Sequence, residues 1–240
     1  MTSPVHSGSA PLRLSRSRLA LFLECARCFR LAVAGGAPRP DNGPLRLHLA
    51  IDTRMKREFD EHRLAGRAHP AMTLAGVEAV PLIHPRLEEW RDFRRGIAAV
   101  HAASHLELYG AVDDLWVHPD GRVSVADYKA TSARPPVGFA GPNYDGYRRQ
   151  LEIYRWLVEA NGLPTFGEDY WVVANADPDR ESEGTLPLAL SVLPYAGDCR
   201  WVPDALRAAR ECLDAPALPA PARECRWCRY RQAAAAAEAA

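Results

Sequence analysis

Two Cys-x-x-Cys pairs, Cys25-Ala26-Arg27-Cys28 and Cys225-Arg226-Trp227-Cys228, stand near opposite ends of a 240-residue chain. Together they supply the four soft ligands that a tetrahedral Zn²⁺ or an iron–sulfur cluster requires. If the pairs share one site, almost the whole chain becomes a closed loop. Only folds that bring its N- and C-terminal regions together then remain open to it. The competing reading makes Cys25 and Cys28 small apolar residues buried in a first helix. Cys199 and Cys212 have no partner at useful spacing and read as structural.

The metal reading depends on a reducing compartment. Residues Met1 to Pro11 are rich in Ser, Pro and Gly and lack the apolar core of a secretion signal. No apolar run approaches the ~18 residues of a membrane span. We therefore expect a cytoplasmic protein with no membrane partner, where closely spaced cysteines suggest metal binding or redox chemistry more than disulfides. With 48% hydrophobic residues the chain can bury one sizeable core. Its 30 basic and 30 acidic residues cancel. Overall charge therefore gives no nucleic-acid signal, although a local basic groove can coexist with that balance.

Ser15-Arg16-Ser17 precedes an apolar-periodic stretch from Leu19 to Val33, which Gly35-Gly36 ends: a capped helix with a glycine stop. Ala37 to Pro44 reads as a loop. Leu47 to Leu64 is helical in period, with Leu49, Met55, Phe59 and Leu64 near one face. Pro85 to Arg95 holds a short helix. Leu106 to Val117 and Arg122 to Lys129 are strand-like runs flanking the turn His118-Pro119-Asp120-Gly121. A helix over Tyr144 to Glu159, strands over Asp169 to Val173 and Leu186 to Leu193, and a helix over Trp201 to Leu213 follow. The expected organisation is a disordered tail over 1–14, one domain over 15–231 and a frayed Ala-rich tail over 232–240.

The hairpin carries the chemistry. Asp127 and Lys129 are two residues apart, so their side chains share a strand face. A tight turn brings Asp113 opposite them. Two carboxylates and an ammonium then converge on one point. Carboxylate oxygens suit Mg²⁺ or Mn²⁺, which polarises a phosphate and activates water, while a lysine orients that water or offsets charge on the phosphorane. The alternative is a surface hairpin with solvated charges, but Val123, Val125 and Ala126 form an apolar run expected to be buried.

Gly110-x-x-Asp113 and Asp127-Tyr128-Lys129 resemble motifs II and III of the PD-(D/E)XK nuclease superfamily. Gln150-Leu151-Glu152-Ile153-Tyr154 resembles the Q-x-x-x-Y motif of its RecB-like branch. The resemblance implies an α/β fold with a restriction-endonuclease-like core: a central mixed sheet flanked by helices, the termini joined by a four-Cys metal site. It implies Gln150 and Tyr154 lining the site from one helix face. Metal would be held by Asp113, Asp127 and the Tyr128 carbonyl. The superfamily's first motif often supplies a His from an N-terminal helix. Here Asp52 is the best match, Glu58 the next, and His48 and His62 weaker candidates. The segment from Ser15 through Phe22, Cys25 and Arg27 to Phe29 is similar to the start of iron–sulfur RecB- and AddB-type exonucleases. That similarity implies a [4Fe–4S] cluster on Cys25, Cys28, Cys225 and Cys228, with Zn²⁺ as the alternative, since the usual one-plus-three cysteine arrangement is here two-plus-two.

The function so implied is a divalent-metal-dependent DNA nuclease, an exonuclease on DNA ends or single strands, in repair, recombination or defence. No helicase motor motif is present, so translocation requires a helicase or repair partner. The alternatives are a non-catalytic nucleic-acid- or protein-binding module on the same fold, and a redox sensor using the thiol pairs. Arg54, Lys56, Arg57, Arg63, Arg148, Arg149 and Arg155 are candidates to track a phosphate backbone. Trp116, Tyr147, Trp156 and Trp171 are candidates to stack on bases, against the bland reading of core packing.

Overall fold

The strand and helix signals resolve, in a computed structural model, into eight strands and eight α-helices among the described residues, which are 10–40, 43, 46–134, 138–139, 141, 144–177 and 184–239. Residues 1–9 of the expected N-terminal tail, parts of the expected 37–44 loop and the last residue lie outside the described residues. The order begins β1 (Leu12–Ser15), α1 (Arg16–Glu24), α2 (Ala26–Val33), α3 (Arg46–Leu64), α4 (Pro70–Leu74), β2 (Val80–Pro81) and α5 (Leu87–Arg91). It continues β3 (Ile97–His101), β4 (Leu106–Gly110), β5 (Asp114–Val117), β6 (Val123–Thr131) and α6 (Asp145–Ala160). It ends β7 (Asp169–Ala176), β8 (Leu188–Tyr195), α7 (Val202–Asp214) and α8 (Arg226–Glu238). No helix among the described residues is long and apolar enough to cross a membrane. The elements form two compact units. One holds the described residues within Met1–Arg39, Ala98–Tyr109 and Pro203–Ala240, the other those within Pro40–Ile97 and Gly110–Val202.

In the first unit, β1 runs parallel to β4, with Leu12 opposite Leu106 and Ser15 opposite Tyr109, in a sheet of order β1-β4-β3. Residues 12–14 are thus paired strand, not tail. The expected helix from Leu19 to Val33 is two helices. Cys25 adopts an extended conformation, φ −162°, closing α1 and opening α2. The C-terminal stretch, expected to fray, is helical as far as Glu238, as the high helix propensity of its alanines allows. Arg30 Nη1 donates to the Cys212 carbonyl at 2.6 Å, tying α2 to α7.

The second unit is built on a five-stranded sheet of order β2-β5-β6-β7-β8, antiparallel except for the parallel β6–β7 pair. The hairpin closes with Val117 opposite Val123, and Gly121 takes the positive φ (+83°) that its turn requires. One sheet face is covered by α3 through Ile51, Met55 and Phe59, spaced by four, against Trp116, Ala126, Tyr128, Tyr170 and Val172. Leu49 and Leu64, expected on that face, are exposed, and Arg63 takes the fourth place in the stripe. Helix α6 buries Leu151, Ile153, Tyr154, Leu157 and Val158 and packs against β6 and β7.

The run from Leu106 to Val117, expected as one strand, is broken. It ends β4 at Gly110 and begins β5 at Asp114, in different sheets. The break coincides with a close backbone approach. Gly96 has φ +65°, and a Cβ on it stands 2.5 Å from the Gly110 carbonyl oxygen. Gly96→Ala is therefore expected to lower stability by roughly 1–3 kcal/mol, measured as a fall in the urea midpoint at constant m. An unchanged midpoint would show that the backbone yields there without cost.

Candidate functional site

Three local devices position the second unit's polar cluster. The β-pleat places Asp127 and Lys129 on the sheet face opposite the buried Ala126 and Tyr128 side chains. The strand break leaves Asp113 in the link just before β5 instead of on a strand. There its Oδ2 accepts the Tyr128 backbone N–H at 2.9 Å, which locks it beside Asp127. On α6, Gln150 and Tyr154 fall one turn apart on one face. Gln150 Nε2 donates to Asp127 Oδ1 at 2.7 Å, and Lys129 Nζ donates to Gln150 Oε1 at 3.4 Å and also to Asp127 Oδ2. Asp127 is fully buried. Tyr154 is buried one turn beyond Gln150, near enough for its charge state to bear on Lys129.

The helix α3 contributes more than expected. Asp52 reaches the cluster, but through Lys56, whose Nζ lies 2.9 Å from Asp52 Oδ2 and 3.1 Å from Asp113 Oδ1. Glu58 is not brought in; it pairs with Arg54 at 3.2 Å. His48 is exposed, and His62 Nδ1 lies 2.9 Å from the Ala68 carbonyl. Tyr128 turns its hydroxyl away to Asp114 Oδ2 at 3.0 Å. Lys56 was legible only as one member of a charged helix. Its spacing of four from Asp52 was the available signal.

The charges set the protonation states. Burial alone would lower the Lys129 pKa, but Asp127 and then Asp113 outweigh it and raise it, so the group stays an ammonium. Lys56 behaves in the same way between Asp113 and Asp52. Asp52 is pushed up by burial and by the Asp113 charge, against the pull of Lys56. The cluster is thus a set of carboxylates crowded enough to need cations beside them.

Behind it lies a second network that the sequence did not announce. Asp114, fully buried, accepts from Arg63 Nη2 at 2.5 Å, Arg91 Nη2 at 3.1 Å, the Leu115 N–H at 2.8 Å and Trp116 Nε1 at 3.2 Å. Arg91 also donates to the Asp113 carbonyl at 2.9 Å and to Asp60 at 2.8 and 3.1 Å. One guanidinium therefore joins α3, α5 and the backbone of Asp113.

Several basic candidates for phosphate are already committed internally. Arg63 is buried against Asp114, Arg155 pairs with the buried Asp169 at 2.7 Å, and Arg148 donates to the Phe139 and Gly141 carbonyls at 2.9 and 2.7 Å.

Within the first unit, Cys25, Cys28, Cys225 and Cys228 meet, all four buried. Each pair uses the same device. Cys25 and Cys225 are the N-cap residues of α2 and α8, and their partners lie in the first turn. Sulfur separations are 3.8 Å for Cys25–Cys228, 3.6 Å for Cys28–Cys225 and 3.6 Å for Cys28–Cys228. Burial raises the pKa of Cys225, but hydrogen bonds from the Cys228 backbone N–H and the other three thiols outweigh it and draw it down to about 6. Arg39 Nη2 donates to Cys225 Sγ at 3.6 Å. Cys199 and Cys212 stay outside the cluster, at Glu159 and at the Ala26 carbonyl.

The two donor sets suit different metals. Among the described residues, the four cysteines are the only group of three or more such ligands lying within 4.8 Å of one another. The aspartates do not close such a sphere. Mg²⁺ does not ask it of them, since it usually takes one or two carboxylates and completes its shell with water and phosphate oxygens. Asp113 and Asp127 are acceptors of that kind.

A family model described as the PD-(D/E)XK nuclease superfamily matches residues 13–233. A search among curated proteins finds no match. Two solved structures align over most of the chain. The crystal structure of SSO0001 shares 15% identity, covering 95% of this chain and 87% of that one, with a TM-score of 0.36. A candidate exonuclease from Eubacterium rectale shares 12% identity, covering 91% and 87%, with a TM-score of 0.42.

Proposed function

Because this chain belongs to the PD-(D/E)XK nuclease superfamily, we propose that it is a Mg²⁺- or Mn²⁺-dependent DNA nuclease of the RecB-like branch. It acts as an exonuclease on DNA ends or single strands, in repair, recombination or defence. The observation that carries this reading is the convergence of Asp113, Asp127 and Lys129, with Gln150 bridging the last two. Asp113 and Asp127 would hold the divalent ion, with the Tyr128 carbonyl and Asp52, which joins the cluster through Lys56, as further donors. When bound, the ion polarises the phosphate and eases deprotonation of the attacking water. Lys129, kept protonated by its neighbours, orients that water and offsets charge developing on the phosphorus oxygens. Gln150 fixes the rotamers of both Asp127 and Lys129. Tyr154, buried one turn beyond Gln150 on the same helix, would line the site with it.

The test is cleavage of end-labelled DNA with Mn²⁺ or Mg²⁺. Asp113→Ala and Lys129→Ala are each expected to lose about a hundredfold or more in rate. Cleavage at the wild-type rate by both variants would refute the assignment. A wild-type protein that binds DNA without cutting it would favour the binding-module reading.

For the four cysteines, the sulfur separations favour one tetrahedral Zn²⁺ over a [4Fe–4S] cluster. Ligands about 2.3 Å from a central zinc stand about 3.8 Å from each other in a tetrahedron. A cubane inserts its own irons and sulfides between the cysteine sulfurs and holds them much further apart. Three separations of 3.6–3.8 Å, with all four sulfurs within 4.8 Å of one another, suit the single ion.

A further inference from the structure

Four aromatic side chains were candidates to stack on bases, and burial separates them. Trp116 and Trp171 are buried in the core and Trp156 is half-buried, whereas Tyr147 is 38% exposed. Tyr147 lies three residues before Gln150 on α6, on the same face. Its ring centroid stands 4.9 Å from Lys129 Nζ. The exposed ring is thus a direct neighbour of the ammonium that faces the scissile phosphate in the reading above.

The ring is braced from behind. Phe139 meets it edge-on at 5.2 Å, and Tyr144 lies tilted at 5.9 Å. Phe139 in turn rests edge-on against Trp171 at 5.1 Å, and Trp171 is the β7 residue paired with Asp127 in the sheet. Arg148 pins the backbone of this cluster through the Phe139 and Gly141 carbonyls. A line of rings therefore runs from the residue beside the catalytic aspartate out to solvent. A surface aromatic held in place in this way gives up little conformational freedom when it binds.

We propose that Tyr147 is a stacking platform for the unpaired nucleobase next to the scissile phosphate, so that the substrate is single-stranded or frayed DNA and not intact duplex. The proposal rests on the nuclease reading for the position of the phosphate. A base sits one sugar away from its phosphate, so a ring touching Lys129 is within reach of it. In a duplex that base is already stacked and paired, and a side chain beside the backbone has no access to its face. A splayed strand offers that face, and every base carries one, so the contact selects strandedness without selecting sequence.

The test separates this proposal from the nuclease reading by measuring binding with divalent metal withheld. The probe is a single-stranded oligonucleotide carrying 2-aminopurine, whose fluorescence is quenched by stacking. A duplex of the same sequence serves as reference. Stacking is worth about 1–3 kcal/mol per base, so Tyr147→Leu is expected to weaken single-strand binding roughly ten- to hundredfold and to abolish quenching. Tyr147→Phe is expected to retain both, and duplex binding to be the same in all three proteins. Unchanged melting temperatures exclude misfolding as the cause. Single-strand affinity and quenching in Tyr147→Leu equal to wild type would overturn the platform, as would a wild type that does not quench. Metal-dependent cleavage decides the nuclease reading separately, through Asp113 and Lys129.

Discussion

Asp114→Ala is expected to cost about 3–5 kcal/mol of folding stability and to lower the melting temperature by roughly 10 °C or more. The carboxylate has no exposure and gathers donors from two guanidiniums, the Leu115 backbone, the Trp116 indole and the Tyr128 hydroxyl. Alanine removes all of these acceptors at once. Arg63 and Arg91 then keep their charges in a buried place, with Asp60 as the carboxylate they share and the exposed Glu88 as a further partner of Arg91. Breaking one side of a buried ion pair is costly for that reason, whereas an exposed pair is worth about 0–1 kcal/mol. A shift in the denaturant midpoint worth less than about 1 kcal/mol would mean that Arg63 and Arg91 relax to solvent. Loosened Arg91 also releases the Asp113 carbonyl, so the folded fraction of the variant should need more Mn²⁺ for half-maximal cleavage.

The second large effect lies at the four cysteines. Metal analysis of the anaerobically purified protein is expected to give one zinc per chain, no iron and no visible colour. Stripping the ion with a strong chelator, or replacing Cys228 with serine, is then expected to unfold the unit that contains α2 and α8. An ion held by all four thiols would tie Cys28 to Cys225, which are 197 residues apart. A covalent link closing such a loop is worth about 5 kcal/mol in chain entropy. Structural zinc in small domains contributes about 10–16 kcal/mol of apparent binding energy at neutral pH. The measurement is a thermal melt with and without chelator, alongside colorimetric zinc release. Stoichiometric iron with broad visible absorbance would restore the cluster. A metal-free protein that melts unchanged would reduce the four thiols to packing.

The local devices of this chain were readable in one dimension. Asp127 and Lys129 share a face because the strand period is two, and their run of apolar neighbours marked β6 as buried. Gln150 and Tyr154 share a face because the helix period is near four. The Pro119-Asp120-Gly121 turn set the hairpin, since only glycine takes its φ of +83° without strain. Spacing also paired the cysteines two by two. Each of these rests on interactions between residues a few positions apart, and such interactions leave a period or a turn signature in the sequence.

Tertiary structure decided the rest. The apolar pattern from Leu106 to Val117 continues through Asp113, yet the chain divides between two sheets there, because Gly96 backs onto Gly110 and the Asp113 carboxylate caps the Tyr128 N–H. Arg63 looked like a surface cation on a charged helix and is buried, because Asp114, 51 residues away, supplies its counter-charge. Lys56 stands between Asp52 and Asp113, and Tyr147, more exposed than the three other aromatic candidates, keeps its ring partly open to solvent beside Lys129. The sulfur separations of 3.6–3.8 Å are likewise a matter of where two distant helix N-termini come to rest. Pairings between charges, rings or thiols far apart in the chain have no period for a sequence to display. They exist only once the backbone has closed around them.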